Sequence, residues 1–325
     1  MSLIKKRSVI GLEIDTGEAR AVELSPGTRG PGKIVYERIN LPDGAVVDGN
    51  VAEPEVVAGA LKQLWSSAGF KSREVVLGVA NKAVLVRFAT LPKVPEDKIA
   101  RMIRFQAQEY LPVDLSSTVW DFAVINELDS DRGPQVEVLL VAAMREMLEV
   151  FLSTLSAAEL APLDINYSGL ALLRIWPAEK KTGAIVMVDV ANGVGNILVE
   201  VDGVLRLARM FFAGLQDAAV RLGCDLSEVV PLPAAEAVQP WPQDILLDWG
   251  ENLADEIRSS IGYLQMQTGI MELDGILLSG RGTRVDGLAQ LLQQSLGMPV
   301  KVLHEVFPEP DFAVSTGLAR YELEG

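Results

Sequence analysis

The chain has 325 residues, of which 49% are hydrophobic, and its 44 acidic against 29 basic side chains leave a formal charge of −15. That length accommodates two domains with sizeable cores, the composition is that of a compact globular protein, and the acidity argues against nucleic acid, whose phosphates are bound by lysine and arginine. A single cysteine, Cys224, excludes an internal disulfide or thiolate cluster, and a single histidine, His304, removes most zinc sites and catalytic triads.

The basic runs KKR at 5–7 and KK at 180–181 read as solvated turns, and His304, in VKVLHE, as a strand-end surface residue. No stretch approaches the ~20 apolar residues of a membrane span, and no apolar segment of a signal peptide follows MSLIKKRS. The expected location is the cytoplasm, without a direct membrane span.

In chain order, residues 8–24 predict strand, tight polar turn and strand, and KIVYERINL at 33–41 a third strand. Residues 54–69 predict a helix with Pro54 at its start and Gly69 just past its end. EVVLGVANKAVLVRFATLP at 74–92 reads as two strands about an Asn81-Lys82 turn. A helix over 95–110 carries Ile99, Met102, Ile103 and Gln106 on one stripe. Strands TVWDFAVIN and QVEVLLVAA follow, split by a polar loop, then a helix over 145–159. Residues 183–212 give three strands, and GLQDAAVRLG a helix. PLPAAEAVQPWP at 231–242 is an irregular crossing segment. A long helix spans 244–268, strand DGILLS meets GRG, and a helix over VDGLAQLLQQSLG and a last one in FAVSTGLARYE complete the prediction.

VIGLEIDTGEARAVEL and IVMVDVANGVGNILVEV share a plan: an apolar strand with an acid near its end, a glycine-bearing polar turn and a returning strand. Each leads to a third strand and a helix. Such internal duplication predicts two related α/β halves with a cleft between them, both turns facing it.

These segments resemble the actin-like, Hsp70-type ATPases, which carry two phosphate loops and an adenosine loop. Within them the chain resembles the PilM family of type IV pilus assembly, relatives of the cell-division protein FtsA. The resemblance rests on IGLEIDTGEARAVELS, LPDGAVVDGNVAEPEVVAGALKQL, the long block from VLVRFATLPKVPEDKIARM to VWDFAVI, GILLSGRGTRVDGLAQLLQQSLGMPVKV and FAVSTGLA. It implies an actin-like α/β fold with two duplicated domains flanking a cleft and a small inserted subdomain. The expected boundaries are 1–91 with 151–182 for the first domain, 92–150 for the insert and 183–325 for the second domain.

The resemblance further implies an adaptor that takes the cytoplasmic N-terminal tail of a PilN-like inner-membrane protein and couples it to the pilus platform and motor components. The resemblance implies ATP and Mg²⁺ as ligands the fold can take, neither of them expected to be essential here. Glu13 and Asp189 would act on a hydrated Mg²⁺ through water, and Arg20 stands at the usual lysine position, within reach of a phosphate. Asp15 replaces a glycine, and its carboxylate would repel a triphosphate. In the second loop Ala191 replaces a glycine and Gly195 a hydroxyl residue, while the amides of Gly193 and Gly195, next to Asn192, remain able to form an anion nest. Thr16 and Gly17 complete the first loop. In the third, Gly280, Gly282 and Thr283 surround Arg281, which either stacks on adenine or blocks it. The family's ribose segment is not recognisable in LSEVVPLPAAEAVQPWP.

No residue is placed as a general base, so ATPase activity is expected to be weak or absent. For the partner peptide the candidates are Asn81, Leu85, Arg87 and Phe105, with core packing as the competing reading of Leu85 and Phe105. The alternatives are an active Mg·ATP-dependent actin-like ATPase or filament protein, and the cytoplasmic part of a type II secretion L-like protein.

Overall fold

The structure, a computed structural model, describes residues 8–26, 31–131, 133–175, 182–230, 241–303 and 309–321. His304, the basic runs at 5–7 and 180–181 and nearly all of the proline-rich segment lie outside them. The chain forms two compact units, Met1–Asn81 with Ser153–Gly325, and Lys82–Leu152.

In the larger unit, β1 (Val9–Asp15) and β2 (Glu18–Pro26) form a hairpin closed by Thr16-Gly17, where Gly17 takes a left-handed φ of 72°. Here β3 (Pro31–Asn40) adds antiparallel to β2. The short β4 (Val46–Val47) and β5 (Asn50–Val51), not foreseen from sequence, precede α1 (Pro54–Ala68), which ends at the left-handed Gly69. Next, β6 (Glu74–Val79) returns parallel to β1.

The smaller unit contains β7 (Val84–Pro92), α2 (Glu96–Tyr110), β8 (Thr118–Ser130) and β9 (Gly133–Met144). Its sheet has the order β7-β9-β8, and Ile99 and Ile103 of α2 pack on Ala89, Leu91, Val136, Val138 and Leu140. Because β7 pairs with β9 from Val84 to Pro92, this unit starts ten residues before the expected boundary at 92. The two strands of 74–92 are therefore not a hairpin; they belong to different sheets.

After α3 (Arg145–Ala157), β10 (Ala161–Tyr167) pairs parallel with β6, and α4 (Ser168–Ala171) follows. The next sheet begins with β11 (Ala184–Asp189), β12 (Gly195–Val201) and β13 (Val204–Phe211). Helices α5 (Leu215–Leu222), α6 (Leu226–Val229) and α7 (Gln243–Thr268) precede β14 (Gly275–Ser279). The chain continues through α8 (Leu288–Leu296), β15 (Val300–Val302) and α9 (Ala313–Ala319).

The two five-stranded sheets have the orders β10-β6-β1-β2-β3 and β15-β14-β11-β12-β13. In each, the founding strand pairs antiparallel with its successor and parallel with the strand beyond, so the duplication seen in sequence is a duplication of topology. Helix α7 covers the second sheet because Leu246, Trp249, Leu253, Ile257 and Ile261 recur every three or four residues on one buried face. Burial of each such side chain contributes about 1.5–3 kcal/mol. No helix among the described residues is long and apolar enough to cross a membrane.

Helix α9 is buried throughout and lies against β1. The approach is possible because Gly11 has no side chain: a Cβ there would sit 1.9 Å from the Ser315 carbonyl oxygen and 2.6 Å from the Ala319 nitrogen. Gly11→Ala is therefore expected to lower the unfolding free energy by about 1–3 kcal/mol through overpacking. The exposed Gly59 in α1 has open space where a Cβ would go. Its change to Ala is expected to stabilise the chain by about 0.5–1 kcal/mol through helix propensity. Parallel urea melts of the two variants check both signs.

Candidate functional site

The first hairpin places four ionisable side chains together by register alone. Glu13 faces Arg20 across the strands and Asp15 faces Glu18, while residues two apart point to the same face. All four are buried, Glu18 at 0% exposure and Arg20 at 1%. Arg20 divides its guanidinium among the three acids: Nε donates to Glu13 Oε2 at 3.1 Å, Nη2 to Asp15 Oδ2 at 3.2 Å and Nη1 to Glu18 Oε1 at 3.3 Å. It is not free to reach a phosphate, which corrects the expectation from sequence.

Asp15 has a second set of partners, two of them in the other half. Its Oδ2 accepts the Asn192 amide at 2.9 Å, and its Oδ1 accepts the amides of Gly193 at 3.1 Å and Thr16 at 2.7 Å. Asn192 Nδ2 donates to the Thr16 carbonyl at 2.9 Å, so the first and second loops are joined directly. A Cβ on Gly193 would lie 2.3 Å from Thr16 Oγ1. On Gly195 it would strike the Phe211 ring at 2.0 Å, so this glycine makes room for packing, a role the anion-nest reading did not foresee. A Cβ on Gly17, at the turn, would lie 2.8 Å from Leu226 Cδ2.

Asp189, at the end of β11, accepts the Ser279 hydroxyl at 2.9 Å. The third loop closes on the second: Gly282 donates to the Val190 carbonyl at 2.9 Å, and a Cβ on Gly280 would lie 2.6 Å from that same oxygen. Thr283 donates its hydroxyl to the Gly280 carbonyl at 2.7 Å, a contact within the loop. Arg281 neither stacks outward nor lines an opening. It is buried, with Nη1 on Glu18 Oε2 and Nη2 on the Val230 carbonyl, each at 2.5 Å.

The charged cluster extends to residues that sequence reasoning missed. Arg38 donates to Asp311 at 2.8 Å and pairs with Glu309, while Arg284 donates to Asp311 at 2.6 Å and Glu309 at 2.5 Å. The available signal was cross-strand: Arg20 stands directly opposite Arg38, a repulsive pair unless acids interleave. Thr16 Oγ1 and Asn192 Oδ1 are buried without a partner among the described residues, and buried polar atoms of this kind are met by ordered water.

In this arrangement the groups expected to meet Mg·ATP have partners within the chain. Of the two amides expected to cradle phosphate, that of Gly193 is bonded to Asp15, Arg20 is shared by three acids, and a Cβ on Gly193 would meet Thr16 Oγ1 at 2.3 Å. The partner-peptide candidates separate as well. Asn81 is 0% exposed and donates to the Gly49 carbonyl at 3.1 Å in the larger unit, so it offers no surface for a peptide, which corrects that expectation. Leu85 is half-buried, Arg87 is exposed, and Phe105 stands 88% exposed on α2 of the smaller unit. For Phe105 the core reading is overturned.

The fold is that of the actin-like ATPases. The ethanolamine utilization protein EutJ from Carboxydothermus hydrogenoformans matches with a TM-score of 0.58 at 13% identity, over 98% of this chain and 91% of that chain. MreB5 of Spiroplasma citri bound to AMPPNP matches at 0.54 and 10%, over 98% and 97%. A higher TM-score, 0.79, is reached with a PilM–PilN type IV pilus biogenesis complex, at 25% identity over 97% of this chain and 98% of that chain. Residues 11–312 match the family described as type IV pilus assembly protein PilM. The chain belongs to the PilM family.

Arg20 is shared among three carboxylates, and for one of them, Glu13, burial outweighs the pairing. Burial pushes Glu13 up to about 8, with Arg20 opposing and Asp189 and Asp15 adding to the rise. Burial likewise pushes Asp189 up to about 6. An acid whose folded value is raised stays protonated while the unfolded chain ionises, so stability falls as pH rises between the two values. For Glu13 that window runs from its ordinary 4.5 to about 8. The melting temperature is expected to decline from pH 6 to pH 8. Glu13→Gln, which keeps an acceptor oxygen for Arg20 and cannot ionise, should flatten that decline; an unchanged slope in the variant would assign the effect to another group.

Proposed function

We propose that this chain is an adaptor of type IV pilus assembly that binds the N-terminal tail of a PilN-like inner-membrane protein, with a nucleotide site too altered to govern that binding. The single observation that carries the reading is the match to a PilM–PilN complex along nearly the whole length of both chains. Membership of the PilM family over residues 11–312 supports it. Through such a partner the chain would lie peripheral to the inner membrane, in contact with the pilus platform and motor components.

The peptide-binding residues are Leu85, Arg87 and Phe105, in the smaller unit. Strand β7, which carries Leu85 and Arg87, is an edge strand of its sheet, and an edge offers backbone donors and acceptors to an extended peptide. Leu85 and Arg87, two apart, point to the same face of that strand. Phe105 supplies an exposed aromatic anchor of the kind that dominates interface energetics. The expected boundaries of the actin-like domains within the larger unit stand as part of this reading.

The test is a calorimetric titration of the full chain with a synthetic N-terminal tail of a PilN-like protein. Binding at micromolar concentrations is expected, with Phe105→Ala weakening it about tenfold, the equivalent of about 1.4 kcal/mol. Added Mg·ATP should leave the affinity unchanged. No heat of binding at high micromolar peptide would overturn the assignment.

A further inference from the structure

The second loop of this fold presents consecutive backbone amides, and in this chain they already hold an anion. Asn192 and Gly193 donate to the two oxygens of Asp15, Thr16 adds a third amide, and Arg20 supplies the positive charge on Oδ2. Successive N–H groups converging on a pair of oxygens form the concavity by which a loop receives a phosphate. We propose that Asp15 is a resident ligand: its carboxylate, with Arg20 as counter-cation, permanently occupies the phosphate position of the second loop and fastens the first hairpin to it. The inference rests on the reading of the nucleotide site as degenerate, and it deepens that reading by naming the occupant.

The surroundings agree with an occupant that never leaves. Asp15 is separated from Asn192 by 177 residues in sequence, so these bonds hold two distant segments together rather than tightening one turn. Asn192 Nδ2 on the Thr16 carbonyl adds a second tie at the same place. Arg281, buried and bonded to Glu18 and to the Val230 carbonyl, does not face outward as stacking on a base would require. The charge also matches: a carboxylate is satisfied by one guanidinium and three amides, whereas a triphosphate brings several negative charges beside Glu13, Glu18 and Asp189.

The test compares melting curves of the wild-type chain, Asp15→Gly and Asp15→Asn, at constant ionic strength, with inorganic phosphate or Mg·ATP titrated in. The wild-type melting temperature should not respond to either. Asp15→Gly empties the nest and should melt lower by about 5 °C or more. It should recover saturably as phosphate is added. Asp15→Asn, which keeps the bulk but only one acceptor oxygen, should melt lower and not recover. Should Asp15→Gly not fold in phosphate-free buffer, its refolding yield from denaturant should rise with phosphate. A saturable rise of the wild type with Mg·ATP overturns the proposal. So does an Asp15→Gly protein whose stability or refolding yield ignores phosphate, or an Asp15→Asn protein as stable as wild type. No peptide is present in these melts, so their outcome and that of the tail titration are independent.

Discussion

A carboxylate removed from water must find a positive partner or keep its proton, and the interior where β1, β11 and β14 end is organised by that constraint. Four guanidiniums, of Arg20, Arg38, Arg281 and Arg284, face six carboxyl groups, of Glu13, Asp15, Glu18, Asp189, Glu309 and Asp311. The deficit is two positive charges, and two carboxyls, Glu13 and Asp189, have their ionisation pushed up. At Asp311 burial works in the same direction, but Arg284 and Arg38 outweigh it and the carboxyl is lowered. Such a network adds little net stability over an apolar core of the same volume, because the attraction mainly offsets lost hydration. What it fixes is geometry: no member can leave without stranding another.

That geometry follows from the duplicated sheets. Each founding strand lies between an antiparallel and a parallel neighbour, and its carboxyl end delivers a loop at the same relative position. Ligands of open α/β sheets bind outside the carboxyl ends of the strands, where the order reverses. The backbone of this chain keeps that arrangement, including the amides at 192 and 193. The side chains decide what occupies it, which is why the fold alone does not license a nucleotide here.

Most elements were legible in the sequence because their patterns are local. The hairpin of 8–24 alternates, α7 repeats its apolar face over 26 residues, and Gly69 and Gly269 mark helix ends in the left-handed conformation. Strand β10 is hard to read from sequence for a different reason: Leu163, Ile165 and Tyr167 do alternate with Asp164 and Asn166, but proline, aspartate and asparagine are depleted in strands, and of its seven residues only Tyr167 is buried. The separation of β6 from β7 was illegible for another reason: periodicity reports a strand but not its sheet. At the site, the loops and their acids were found, but roles were inverted. Asp15 read as a repulsive intruder because its partners, the amides of 192 and 193, are invisible without the fold. Gly195 read as a hydrogen-bonding position, yet the Phe211 ring is what demands it.

A tethered anion differs from a bound one in a way that bears on an adaptor. A nucleotide stabilises its closed state by an amount that rises with its concentration over Kd and vanishes when it is depleted. A carboxylate carried on β1 is an intramolecular partner whose effective concentration is set by the hairpin and never falls. Its removal requires displacement by a stronger anion together with an alternative partner for Arg20, which is otherwise left buried and short of one acid. With Asp15 as the resident ligand proposed above, the junction between the first and second loops is independent of nucleotide supply. A protein whose task is to hold a membrane partner in place gains from that independence, whereas an ATPase, which must open its loops to exchange product for substrate, is obstructed by it.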